Sequence, residues 1–206
     1  MKTSLKRNLL IGFSLSLIIL LLSSAASYFS IKNLLNSAES VNHSNAVTVE
    51  IQNVLSTLKD AETGQRGFLL TNDELFLQPY NGSLNKVKTS IEKVKALNPE
   101  NGDQQNNINL LEDIIDRRFS ALSILINQKR ANEDIDIKDL RNGKAFMDSI
   151  RNIVKVITTE EQKILVNKTK VLNRFTAFTP IFILTAALLS LIITVIFYLK
   201  VNSDIK

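Results

Sequence analysis

The densest chemistry in this chain lies at Glu62, Gln65 and Arg66. Glu62 stands four residues before Arg66, the carboxylate-first spacing that sets an ion pair on one helix face, and Gln65 adds an amide beside it. Such a trio can bind a charged ligand. Its plainer use is an ion pair and a helix cap, worth about 0.3–0.5 kcal/mol where exposed. Gly64 and Gly67 interrupt the same stretch, each costing a helix interior about 1 kcal/mol relative to alanine. Either the helix ends there, or a neighbouring segment approaches too closely for a Cβ.

Arg118 and Glu161 are charges at positions where an apolar repeat expects core. An isolated buried charge is costly, so each needs a partner or water. Their expected role is to fix helix register or a dimer interface, with ligand contact as the lesser reading. His43 is the only histidine and reads as an ordinary surface residue, because one histidine does not make a metal site. The acidic turn Glu133-Asp134-Ile135-Asp136 fails as a calcium loop: counted from Asp134, the sixth position is Asp139 and the twelfth is Ala145, where glycine and glutamate are required. No two glycines have a phosphate-cradling spacing. No catalytic residue, metal ligand or cofactor site is assigned, and the chain is not expected to be an enzyme.

Asp60, Glu62, Thr63, Gly64, Gln65, Arg66, Gly67, the following Leu69-Leu70-Thr71 and the later Pro79-Tyr80 together closely resemble the signature of the third class of CHASE domains. These are extracytoplasmic sensory modules found ahead of bacterial histidine kinases, cyclases and chemoreceptors. Gly143, Met147, Asp148, Ile150, Arg151, Glu161 and Leu165 resemble the last helix of the family. The resemblance covers about residues 30–174. It implies a sensor that works as a homodimer, with a cytoplasmic kinase, cyclase or chemoreceptor output domain in cis or in trans. It also implies that Asp60, Glu62, Thr63, Gln65, Arg66, Gly67 and Tyr80 serve an unknown ligand or the signal.

The elements that must position these residues are helices. With no cysteine, few glycines and prolines and much Leu, Ile, Asn, Lys and Glu, the composition is that of long helices without disulfides. The net charge of +5 owes much to basic residues flanking two apolar runs, and no basic stripe points to nucleic acid. Residues 9–29, preceded by Lys2, Lys6 and Arg7, and residues 175–199, bounded by Arg174 and Lys200, are each long enough to span a bilayer in contact with membrane lipid. Ser23-Ser24-Ala25 has the form of a signal-peptide cleavage site, but the apolar pattern runs on at helical spacing through Ile31, Leu34, Ala38 and Val41. The basic residues predict two passes with both tails, 1–8 and 200–206, cytoplasmic, and the resemblance implies that the membrane is a bacterial inner membrane.

Residues 30–174 then form an extracytoplasmic domain of four helices, read from apolar residues three and four apart. The seams are Val47, Ile51, Val54, Leu58 and Ala61; Leu77, Tyr80, Leu84, Val87, Ile91 and Val94; Ile108, Leu111, Ile115, Arg118, Leu122 and Leu125; and Leu140, Met147, Ile150, Val154, Ile157, Glu161 and Ile164. Thr71 with Glu74 has the form of a capping box, which starts the second helix at Asn72 or Asp73, with Pro79 kinking it or marking its first turn. Asn98 to Gly102 ends that helix, Asp103 caps the third, and Asn132 to Asp136 makes the last turn.

The expected fold is therefore all-α: an antiparallel up-down-up-down four-helix bundle flanked by two transmembrane helices, with residues 60–71 at its membrane-distal end. The expected function is a membrane-anchored sensory module, the input part of a two-component histidine kinase or similar receptor. The alternative is an envelope structural or interaction bundle. The sequence runs to Lys206 without a transmitter, which fits the amino-terminal part of a larger kinase or a protein that signals through a partner.

Overall fold

The computed structural model describes residues 2–97 and 102–205. Among these there are four α-helices, α1 (Lys2–Thr71), α2 (Ser83–Leu97), α3 (Gly102–Arg130) and α4 (Ile137–Ile205), with a short 3-10 helix at Glu74–Leu77 and no strand. Two compact units share the long helices: residues 42–165, and residues 1–41 with 166–206.

The first unit is a four-helix bundle. One apolar cluster joins all four helices, with Val47, Ile51, Val54, Leu58 and Ala61 from α1 and Val87, Ile91 and Val94 from α2. Ile108, Leu111, Ile115, Phe119 and Leu122 come from α3, and Met147, Ile150, Val154 and Ile157 from α4. Each such side chain contributes about 1.5–3 kcal/mol by leaving water, so the seams rather than helix propensity hold the bundle. Polar pairs give the direction of each helix. Glu50 meets Lys93, Lys95 meets Glu112, and Gln104 meets Glu161, so successive helices run antiparallel.

The turn after α1 differs from the capping-box expectation. Asn72 takes a left-handed φ of 58° and its N–H donates to the Phe68 carbonyl at 2.8 Å, the αL ending of a helix. Thr71 Oγ1 donates back to Gly67 O and accepts from Asp73 N–H, so it serves the turn. Asp73 caps the 3-10 helix by accepting from Leu75 N–H at 2.9 Å. The α2 helix begins only at Ser83, after Gly82 at φ 75°, and Leu77 and Tyr80 belong to the connecting segment.

At the far end of α3, the Asn132 N–H bonds to Lys129 O and the Glu133 N–H to Gln128 O, with Asn132 at φ 53°. That is a Schellman ending with asparagine in the glycine place. Asp136 then accepts from Lys138 N–H at 2.8 Å and starts α4. Asp103 lies inside the first turn of α3 rather than capping it, and residues 98–101 of the expected turn lie outside the described residues. Leu140 and Ile164, expected in the fourth seam, are exposed.

The second unit packs residues of α1 against residues of α4. Ser16 bonds Ser190 at 2.8 Å, Ser30 bonds Thr179 at 2.5 Å, and the Phe197 ring fills the space beside Gly12. Its apolar side chains, such as Leu22, Phe178, Leu184 and Leu191, are largely exposed. Within it, α1 and α4 each contain a stretch long and apolar enough to cross a membrane. A soluble core helix would bury such a stretch; outward-facing leucines with hydroxyl contacts between helices are the pattern lipid favours.

Candidate functional site

The glycines of the 60–71 stretch answer the packing question at once. The α1 helix continues through both, and the segment 72–82 folds back across them. A Cβ on Gly64 would stand 2.5 Å from the Phe76 carbonyl oxygen, and one on Gly67 would enter the Phe76 ring. Pro79 also packs over Gly64. Beneath this strap Phe68, Leu77 and Ile126 form a small apolar cluster, with Leu69 and Tyr80 against it. The Tyr80 ring lies 6.3 Å from that of Phe119. Arg130 of α3 closes the end from outside: Nε and Nη2 each bond one Glu74 oxygen at 2.7 Å, and its guanidinium stands over the Phe68 ring.

One turn below, two of the sequence-predicted residues, Arg66 and Arg118, converge on a third, Glu62. Glu62 Oε1 accepts from Arg66 Nη2 at 2.5 Å and lies 3.6 Å from Arg118 Nη2. The Arg66 side chain is 68% exposed, whereas those of Glu62 and Arg118 are 10% and 4% exposed. One carboxylate is thus shared between a guanidinium at the surface and another in the core. Arg118 reaches α4, where a Cβ on Gly143 would stand 2.7 Å from its Nη1. Burial pushes the Arg118 pKa down, Glu62 opposes this, and the like charges of Arg66 and Arg151 push the same way as burial. Gln65 is buried, and its Nε2, like Arg118 Nε, has no hydrogen-bond partner among the described residues.

Asp60 and Thr63 point outward and are exposed. Glu161 sits elsewhere, at the other end of the bundle, and is 1% exposed. Its Oε1 accepts from Gln104 Nε2 at 2.6 Å, while Oε2 has no partner among the described residues. Ser44, Gln104 and Glu161 continue the seams of α1, α3 and α4 one step beyond Val47, Ile108 and Ile157. His43, expected on the surface, is half-buried, with Nε2 2.5 Å from the Leu97 carbonyl oxygen.

Sequence reasoning missed that Arg118 turns to Glu62, that Gly143 makes room for it, and that Gln104 partners Glu161. A glycine in the fourth helix opposite a charged seam position was the available signal for the second. The groups gathered at Glu62 are two guanidiniums around one carboxylate, which bind and orient charge.

A bundle with charged pairs on its seams, whose first and last helices carry apolar stretches of bilayer length, has the build of a helical sensor domain. The CHASE3 domain matches residues 37–170, and the chain belongs to that family. The solved sensor domain of the histidine kinase HK9 from Rhodopseudomonas palustris is similar to it, with 25% identity and a TM-score of 0.54, covering 60% of this chain and 98% of that one. No curated protein matches the chain. The chain is a sensory module, and its apolar helices fit a membrane protein.

Proposed function

We propose that this chain is the input part of a transmembrane receptor, either a histidine kinase or a receptor with a cyclase or chemoreceptor output. Residues 9–29 and 175–199 would be its membrane helices, residues 30–174 would lie outside the inner membrane, and the tails 1–8 and 200–206 would be cytoplasmic. The observation that carries this reading is that α1 and α4 each contribute both a stretch of bilayer length and a seam of the CHASE3 bundle. A change of packing in the bundle can then reach the cytoplasm by displacement of two helices, without a ligand crossing the bilayer.

The working unit is a homodimer, whose partner copy brings two output domains together. Glu62, Gln65 and Arg66, with Asp60, Thr63, Gly67 and Tyr80 around them, form the input end, and Arg118 and Glu161 hold register. The similarity to a histidine kinase sensor domain supports a kinase as the output. The reading is tested by joining residue 206 in frame to the cytoplasmic part of a well-behaved histidine kinase. Substitutions within the bundle such as Gly64→Ala should change its autophosphorylation in membranes. Output indifferent to every bundle substitution would contradict the reading.

A further inference from the structure

Around Glu62 the charges do not balance. Arg66 and Arg118 share a single carboxylate, Arg66 takes the short bond at 2.5 Å, and Arg118 is left at 3.6 Å, beyond the 2.7–2.9 Å usual for a charged hydrogen bond. The groups left over at this level are donors: Arg118 Nε and Gln65 Nε2 are buried and have no acceptor among the described residues. Arg151 adds a like charge within reach of Arg118, although Asp148 pairs with it at 2.9 Å. A buried guanidinium with one distant partner is expensive to keep. Uncompensated positive charge with spare N–H groups is what an anion satisfies, and the exposed Arg66 opens the cluster to solvent.

We propose that the Glu62–Arg66–Arg118 cluster is a site for a small oxyanion, a carboxylate- or phosphate-bearing solute that pairs with Arg66 from the solvent side and leaves Glu62 free to close on Arg118. This rests on the sensor reading and gives it a ligand class. It also supplies a route for the signal. The Arg118 guanidinium already fills the space a Gly143 Cβ would take, so it cannot shift toward Glu62 without altering its seat on α4. A solute on α1 thereby loosens or tightens the contact between α3 and α4.

The test uses the full chain in lipid nanodiscs, melted in sodium acetate or sodium phosphate against sodium chloride at matched ionic strength. Both salts are titrated, since phosphate also stabilises proteins by exclusion from their surface. Saturable binding should raise the Tm of the wild-type protein by roughly 3–8 °C at ten times the dissociation constant. Arg66→Gln should abolish the rise, Arg66→Lys should keep a weaker one, and Lys86→Gln, which removes a charge on α2, should keep it whole. A response to acetate alone assigns a carboxylate ligand, and one to phosphate alone a phosphate ligand. No saturable rise in the wild-type protein, or an equal rise in Arg66→Gln, overturns the proposal. Failure here with a two-pass topology intact removes the site and not the sensor.

Discussion

Glu62 is the residue on which the electrostatics of the bundle turn. Removing one member of a buried ion pair strands the other, at a cost of about 3–5 kcal/mol; loss of Glu62 strands the buried Arg118, whereas loss of the Arg118 charge leaves Glu62 paired with Arg66. Glu62→Ala should therefore lower stability by an amount in that range, while Arg118→Met should change it little or raise it. Urea unfolding of the two variants checks the order, and an Arg118→Met loss as large as that of Glu62→Ala would mean that Arg118 holds the bundle by charge. The glycines give a second ranking. Gly64→Ala sets a Cβ against backbone, which cannot rotate away, so overpacking of about 1–3 kcal/mol should exceed the propensity gain of about 1 kcal/mol. Gly67→Ala meets a ring that can turn, and Gly102→Ala meets nothing within 4 Å among the described residues. Thermal melting should rank them Gly64→Ala, Gly67→Ala, Gly102→Ala from most to least destabilised. The two glycines were legible in the sequence as either a helix end or a close approach, and the structure has the second. The segment making that approach was not, because the cost of a missing Cβ does not say whether a helix, a ring or a loop lies opposite.

Between elements, exposed ion pairs tie neighbours whose seams already meet. Lys93 lowers the Glu50 carboxyl below its ordinary 4.5 and joins α1 to α2. Arg130 lowers that of Glu74 and joins the strap to α3. A carboxyl whose folded pKa is depressed stabilises the fold above its unfolded value, and the gain is lost as pH falls through the folded one. Stability of the bundle should therefore hold from neutrality down to about pH 4.5 and then decline. Arg130→Gln should remove part of that acid slope, seen in urea midpoints taken across the pH range. The seams of α1 and α3 were legible almost residue for residue, since a three-and-four repeat has one geometric meaning over many turns. The start of α2 was not. Thr71 and Glu74 have the spacing of a capping box, but Asn72 turns left-handed first, and Asp73 caps a 3-10 helix instead. Leu140 continues the period of α4 on paper yet lies exposed within a turn of the helix start.

At the scale of the whole molecule, the proposed topology has two apolar stretches crossing a membrane, with the CHASE3 bundle outside it. Composition made the stretches visible, and the exposed leucines of the second unit fit them. The proposed orientation rests on a few basic residues alone, Lys2, Lys6 and Arg7 at one end and Lys200 and Lys206 at the other. The absence of cysteine from the chain makes the direct measurement simple. Single cysteines at Ser4, Ser120 and Ser203, with Ser120 exposed on α3 of the bundle, would be labelled in whole cells with a membrane-impermeant maleimide. The proposed topology predicts labelling at Ser120 in intact cells, and at Ser4 and Ser203 only after the inner membrane is opened. Labelling of Ser4 or Ser203 from outside, or protection of Ser120, would contradict it.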